Sequence, residues 1–226
     1  MTVSRLYPIT STLEEGFNIL KNECDTSNNS IRSPRTKFTK QFHFVEKGFG
    51  FPRYVFTDND SIVKYLTNNV AVISSRIVIY NNWRQPIALL IRKGHTYKLI
   101  SQNSLLLQVN VRRLIAMEVK VFNLGYNSGV CYTSKPATII GLFLCNCSAL
   151  SWNFIDLLDN RKYLDFTIPT LPSSKNVQLI SPCQSNSVVF EMSKQKSYYH
   201  VNTDSSFTPL QAFALSIIRA FEIFSR

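Results

Sequence analysis

The chain has 226 residues, of which 45% are hydrophobic and 17% charged, and it contains seven glycines. This composition supplies enough apolar surface for a folded core and excludes collagen-like, glycine-rich and globally disordered proteins. The formal net charge is +11, and residues 1–113 hold sixteen Lys/Arg against seven Asp/Glu. Such a basic excess suits polyanionic partners, either nucleic acid or an anionic membrane surface.

Residues 1–50 are predicted to form an N-terminal extension that is partly disordered, because residues 24–34 are polar and rich in turn formers. Further along, residues 38–53 interleave phenylalanines with lysines and arginines. Such interleaving is typical of a platform for single-stranded nucleic acid. More often such a pattern belongs to an extended segment that packs on a neighbouring sheet, and the sequence leaves both readings open.

Residues 51–226 are predicted to form the main domain, a mostly β structure built from short strands. The segments are rich in β-branched and aromatic residues and are separated by Asn, Asp, Ser, Gly and Pro, which predicts an antiparallel barrel or sandwich. The predicted strands are 53–57, 62–66, 70–73, 76–80, 86–92, 96–100, 104–111, 117–122, 138–144, 152–158, 162–168, 177–180, 187–192 and 197–202.

The chain is predicted to end in a helix over residues 209–225, with Thr208 as the N-cap and Pro209 as the first helical residue. Apolar residues lie on nearly every side of this helix, so it must be enclosed by protein or lipid. Its length of about 25 Å is less than the ~30 Å of a bilayer core. We therefore expect it to thread a barrel, with these core residues: Phe213, Leu215, Ile217, Ile218 and Phe221.

Five cysteines without a regular framework, and a start without a continuous apolar segment, indicate free thiols and no secretory signal. Cys145 and Cys147 would share one face of a strand, but no second ligand pair follows at finger spacing, so we expect no zinc site. Motifs of hydrolases, P-loop proteins and dinucleotide-binding proteins are absent from the sequence. We expect no enzyme, although a site assembled only by the fold stays open.

The clearest candidate site is a group of basic residues in or beside neighbouring hairpins of the first half. Several of them could share one face and bind an anionic headgroup, and the alternative is an ordinary solvated surface. The candidate headgroup-binding residues are Arg76, Arg84, Arg92, Lys93 and Lys98.

The order of several segments resembles the phospholipid scramblase family, within the wider tubby-like group. The resemblance covers roughly residues 53–226. It rests on the hairpin 76–92, the strand 117–122 followed by 136–141, and the hairpin 152–168. It also rests on Ser181-Pro-Cys183, Val189-Phe-Glu191 and the hydrophobic segment 212–224.

This resemblance implies a closed antiparallel barrel of about twelve strands around a hydrophobic C-terminal helix. It also implies a membrane-associated protein that moves phospholipids between leaflets in response to calcium. The segment corresponding to the family's acidic calcium segment is 203–210, where Asp204 is the only acid. Calcium prefers six to eight oxygen ligands, including carboxylates. We therefore expect no cofactor, with calcium bound at most at millimolar concentration.

Three functions remain at this point. The first is a scramblase-like protein that binds anionic phospholipids at the cytoplasmic face of a membrane. The second is a tubby-like module that binds phosphoinositides or nucleic acid without transport, for which a nuclear location is also open. The third is an enzyme whose site forms only in the fold. Charge alone does not separate the first two, because lipid headgroups and nucleic acids are both polyanions.

Overall fold

The computed structural model describes residues 38–48, 50–71, 74–111, 117–122, 130–134, 164, 166–181 and 187–222. It contains twelve strands and one helix, α1. Their bounds are β1 Lys40–Lys47, β2 Arg53–Asp58, β3 Val63–Thr67, β4 Arg76–Asn81, β5 Pro86–Lys93, β6 Thr96–Ser101, β7 Ser104–Val111, β8 Met117–Val121, β9 Val130–Ser134, β10 Val177–Ser181, β11 Ser187–Lys194, β12 Tyr199–Thr203 and α1 Pro209–Glu222.

The strands form one closed antiparallel barrel in which each strand pairs with the next in sequence. The barrel closes where β1 pairs with β12, with Phe42 opposite Val201 and Phe44 opposite Tyr199. Closure leaves no strand edge with unpaired backbone groups, which removes the main route to edge-to-edge aggregation. Of the two architectures that the strand pattern predicts, the structure is therefore the barrel, and the sandwich is excluded.

Helix α1 fills the barrel. Every residue from Gln211 to Phe221 is buried, and Phe213 contacts rings from three strands. Its ring centroid lies 5.2 Å from that of Phe56, 6.0 Å from that of Tyr65 and 6.2 Å from that of Phe44. All five residues named for the core of the helix, which include Leu215, are at most 1% exposed. Among the described residues, no helix is long and apolar enough to cross a membrane.

The start of α1 is fixed by a reciprocal pair of hydrogen bonds. The backbone amide of Gln211 donates to Thr208 Oγ1 at 3.3 Å, and the backbone amide of Thr208 donates to Gln211 Oε1 at 2.8 Å. This is a capping box, which satisfies two amides at the helix start. Thr208 and Pro209 thus occupy the positions that the sequence predicts. The Gln211 side chain also donates to the carbonyls of Leu106 in β7 and of Phe122, the residue after β8, which ties the helix start to the barrel wall.

The barrel begins earlier than the sequence predicts. The pattern places a domain boundary at residue 50, whereas β1 spans Lys40–Lys47 and closes the barrel. Phe42 and Phe44 point into the core, and Phe42 stacks on Phe56 with ring centroids 4.7 Å apart. These two rings are therefore not available to stack nucleic acid bases. The disorder predicted before this strand falls on residues outside the described part of the chain.

Three further differences concern strands. The sequence predicts a strand at 70–73, but Val70 and Ala71 lie in a loop. A strand predicted at 162–168 is not formed by its described residues, whereas β9, which the pattern does not predict, pairs with both β8 and β10. The strands predicted at 138–144 and 152–158 lie outside the described residues.

Candidate anion-binding end of the barrel

Charge is unevenly distributed along the barrel axis. One end of the barrel is the end at which α1 finishes and at which β1, β5 and β11 also end. We call this the basic end. Its described side chains carry two carboxylates, those of Glu46 and Glu118. Its cationic residues are Lys47, Arg53, Arg76, Arg92, Lys93, Lys175, Lys194, Lys196 and Arg219.

The opposite end, where α1 starts, is close to neutral; we call it the neutral end. Lys40, whose Nζ donates to the Phe207 carbonyl at 2.7 Å, marks this end. Its other described cations are Lys64 and Arg84, and it carries three carboxylates: Asp58, Asp60 and Asp204. The Lys64 ammonium lies 2.9 Å from an Asp58 oxygen and holds the pKa of that carboxyl below its usual value. Among the described residues, the excess of cations therefore lies at one end of the barrel.

Three of the five candidate headgroup residues share the outer surface at or near the basic end. Arg76 and Lys98 both lie opposite Ile91, on the strands that flank β5, and both are exposed. Their Cα atoms are therefore about 10 Å apart, which is two inter-strand spacings. Lys93, also exposed, is at the end of β5. These three side chains can face one anionic surface together.

Lys120 extends this row, and sequence reasoning did not single it out. It lies opposite Gln108, which itself lies opposite Lys98, so Arg76, Lys98 and Lys120 occupy alternate strands of one outward row. The alternation in β8, where Met117, Val119 and Val121 are buried and Lys120 is exposed, was the available signal.

The remaining two candidates lie elsewhere. Arg84 is in the β4–β5 turn at the neutral end, with strand β4 between it and Arg76, so the five residues do not form one site. Arg92 lies over the core at the basic end. Its guanidinium carbon is 5.5 Å from the ring centroid of Phe221 and 5.8 Å from that of Tyr97. These cation–π contacts give Arg92 a packing role.

A shallow groove of about 160 Å³ adjoins Arg76. Two amide groups, two hydroxyls and a guanidinium line it, and its lining includes no carboxylate. Pockets for drug-sized ligands measure about 300–1,000 Å³, so this groove suits a small group such as a phosphate. Its lining residues are Asn68, Asn69, Val70, Ser74, Arg76, Ile77, Val78 and Tyr80.

A buried arginine of α1 lies at the basic end of the barrel. Arg219 of α1 is 1% exposed, and its guanidinium donates to three carbonyls of one turn. Nη2 donates to Ser174 at 2.7 Å and to Asn176 at 3.1 Å, and Nε donates to Lys175 at 3.3 Å. These carbonyls replace the hydrogen bonds to water that the cation loses on burial. The charge that interrupts the apolar helix is accommodated inside the barrel.

Next to this turn, cations outnumber the acid that faces them. The Lys175 ammonium pairs with Glu46 at 2.5 Å, and Lys194 lies 4.5 Å from the ring centroid of Tyr199. Burial, and then the charge of Lys175, lower the pKa of Lys194, while Glu46 acts in the opposite direction. A cation that lowers the pKa of a neighbouring lysine favours the approach of an additional anion.

A buried carboxylate lies on the outward side of β11. Glu191 accepts hydrogen bonds from Thr167 Oγ1, from Asn202 Nδ2 at 2.7 Å and from Gln178 Nε2 at 3.2 Å. Burial raises the pKa of Glu191, and these hydrogen bonds act against the rise. The segment that contains Thr167 is thereby tied to β11 and β12. Sequence reasoning placed Glu191 in the family resemblance but did not predict this network.

Ser193 and His200 lie opposite each other on β11 and β12, and both are buried. Ser193 Oγ and His200 Nδ1 have no hydrogen-bond partner among the described residues. Burial, and then the charge of His43, lower the pKa of His200 to about 4. A serine without a bonded base is not an activated nucleophile. The expectation of no enzyme stays a prediction for the chain as a whole.

Asp204, the candidate calcium ligand, uses both carboxylate oxygens within its own turn. Oδ1 accepts the Ser206 amide at 2.9 Å, and Oδ2 accepts the Ser206 hydroxyl at 3.1 Å. Within the described ranges, no group of three or more His, Cys, Asp or Glu could hold a metal ion. The expectation of at most millimolar calcium binding stays a prediction.

Comparisons with known proteins do not assign this chain to a family. No protein-family model matches the chain, and no curated protein matches it. Among solved structures, the chain is similar to an Arabidopsis thaliana protein determined by X-ray crystallography, with 12% sequence identity and a TM-score of 0.46. The match covers 84% of this chain and 94% of the Arabidopsis chain. The scramblase and tubby-like assignments therefore remain resemblances of sequence.

Proposed function

We propose that this protein is a peripheral membrane-binding protein whose basic end holds anionic phospholipid headgroups. The observation that carries the proposal is the separation of charge between the two barrel ends. Each Lys or Arg held near an anionic surface contributes about 1 kcal/mol, so several on one face give stable attachment. The cytoplasmic leaflet, rich in anionic lipid, is the surface that this charge fits.

The groove beside Arg76 supplies a place for one phosphate. Arg76 offers a guanidinium fork, which matches the oxygens of a phosphate group. Asn69 and Ser74 line the same groove and carry further donors. Headgroups that carry a phosphate clear of the bilayer, such as phosphoinositides, would fit this groove best. This is the tubby-like reading of the sequence, in which the protein binds lipid without transport.

Movement of lipid between leaflets has less support. To enter a membrane and take part in moving lipid, the C-terminal helix would have to leave the barrel, in which its residues 211–221 are buried. Exposing them to lipid would cost the packing of Phe213 and its neighbours. We therefore propose binding as the function, with any scrambling secondary and independent of Asp204.

Sedimentation with vesicles tests this function. We expect the protein to pellet with vesicles that contain about 30% phosphatidylserine, and a larger fraction to pellet when a phosphoinositide is added. With vesicles of phosphatidylcholine alone, the protein should stay in solution. Binding should weaken as salt rises, because salt screens exposed charges. Tighter binding to DNA than to anionic vesicles in the same buffers would favour the nucleic acid alternative instead.

A matched pair of variants tests the groove. Arg76→Glu and Arg84→Glu make the same change at two exposed arginines, one at each end of the β4–β5 hairpin. We expect Arg76→Glu to weaken binding to anionic vesicles by tenfold or more, on the order of 2 kcal/mol, and Arg84→Glu to change it little. Equal losses in both variants would show that only total charge matters and would exclude the groove as the contact.

A further inference from the structure

The turn between β1 and β2 combines an exposed aromatic residue with cations on both sides. Phe51 is 63% exposed in this turn, and Lys47 and Arg53 end the two strands that it connects. Gly48 and Gly50 have φ values of +89° and +78°, which side chains with a Cβ rarely adopt, so the glycines set the shape of the turn. The turn therefore presents the Phe51 ring from the basic end.

The base of this turn is held firmly. Pro52 is buried, and its carbonyl accepts the Val70 amide at 2.9 Å. This hydrogen bond ties the end of the turn to the loop that follows β3.

We propose that Phe51 inserts into the interface of an anionic membrane and anchors the basic end there. This inference rests on the proposed function and adds the apolar half of the contact. Charge attraction brings cations to the headgroups, and an aromatic side chain gains further free energy by burial at the acyl boundary. Leu171, which is 43% exposed and bridged to Lys194 at the basic end, is a second apolar group on this side.

The neutral end also exposes apolar residues, and it serves as the control. Trp83, in the β4–β5 turn, is 76% exposed, and Ile62, in the β2–β3 turn, is 53% exposed. Asp58, Asp60 and Asp204 belong to that end, and anionic headgroups repel carboxylates. An anionic membrane should therefore select Phe51 over the more exposed Trp83.

Three variants test this inference on the full chain: Phe51→Ala, Phe51→Trp and Trp83→Ala. Their dissociation constants are measured with phosphatidylserine-containing vesicles at about 100 mM and about 300 mM salt. We expect Phe51→Ala to weaken binding by about 5- to 20-fold at both salt concentrations, because apolar insertion is not screened. Phe51→Trp should bind as tightly as the wild type, and Trp83→Ala should be unchanged.

The outcomes separate this inference from the proposed function. If the wild-type protein binds anionic vesicles and Phe51→Ala binds equally well, the insertion is wrong and the electrostatic function stands. Loss of binding in Trp83→Ala but not in Phe51→Ala would move the contact to the neutral end. Failure of the wild-type protein to bind anionic vesicles would refute the function itself. Because Phe51 is exposed, unchanged thermal unfolding of Phe51→Ala is expected and confirms that the variant is folded.

Discussion

His200 is a buried histidine whose charge state is linked to folding. It lies opposite both His43 and Ser193, with the His43 and His200 ring centroids 5.9 Å apart, and the Tyr198 ring contacts His43. The pKa of His200 is about 4 in the folded protein against an ordinary 6.5. The unfolded chain therefore binds the proton more readily. Stability from His200 is present above pH 6.5 and is lost as the pH falls from 6.5 through 4.

We predict that His200→Gln reduces the loss of stability on acidification. Between pH 7 and about pH 4, the wild-type protein should lose up to about 3 kcal/mol through His200, and the variant should not. The pKa of Glu191 is raised, so its contribution has the opposite sign and strengthens as the pH falls. Urea unfolding of both proteins at each pH isolates His200 as a difference. Identical pH dependence in the two proteins would contradict the prediction.

The guanidinium of Arg219 donates to the carbonyls of Ser174, Lys175 and Asn176. Arg219→Met should therefore lower the free energy of unfolding by about 3 kcal/mol, because carbonyls that accept from a charged donor are left buried. Arg219→Lys keeps the charge but loses the planar guanidinium fork. Its free energy of unfolding should therefore lie between those of the wild type and Arg219→Met. Denaturant unfolding measures both, and an unchanged midpoint for Arg219→Met would show that water replaces the guanidinium.

At the scale of elements, α1 is the best-predicted part of the chain. Its apolar residues surround the helix, and Thr208 and Pro209 signal its start locally. Strand β1 was harder to predict, because Val45 on its outward side breaks the alternation of apolar and polar residues. Its pairing with β12 depends on residues far apart in sequence, which no local pattern reports.

Phe213 tests the role of α1 as the core of the barrel. Phe213→Ala removes contacts to Phe44, Phe56 and Tyr65, and should lower the free energy of unfolding by about 3–5 kcal/mol. Phe51→Ala is the matched control, since Phe51 is largely exposed, and should change stability by no more than about 0.5 kcal/mol. If Phe213→Ala stays equally stable but loses vesicle binding, the helix contacts lipid and its enclosed position is wrong.

At the scale of the whole molecule, the sequence indicates the basic excess but not its placement. Arg76 and Lys98 meet only because β4, β5 and β6 pair in a particular register, and Lys120 joins them through β7. Arg84 is near Arg76 in sequence, yet the length of β4 separates them. Lys175 and Lys194, at the basic ends of β10 and β11, are far in sequence from Arg76 and Lys98. A candidate site of this kind depends on topology, which composition and spacing alone do not determine.

The basic end is the central claim, and reversing its charge tests it most directly. Lys93→Glu/Lys196→Glu changes two exposed lysines at the basic end, and Lys64→Glu/Arg84→Glu makes the same change in net charge at the neutral end. The measurement is the dissociation constant of each double variant for phosphatidylserine-containing vesicles at about 100 mM salt. We predict a loss of about 100-fold or more for the basic-end variant and less than about fivefold for the neutral-end variant. Equal losses, or a larger loss for the neutral-end variant, would contradict membrane binding through the basic end.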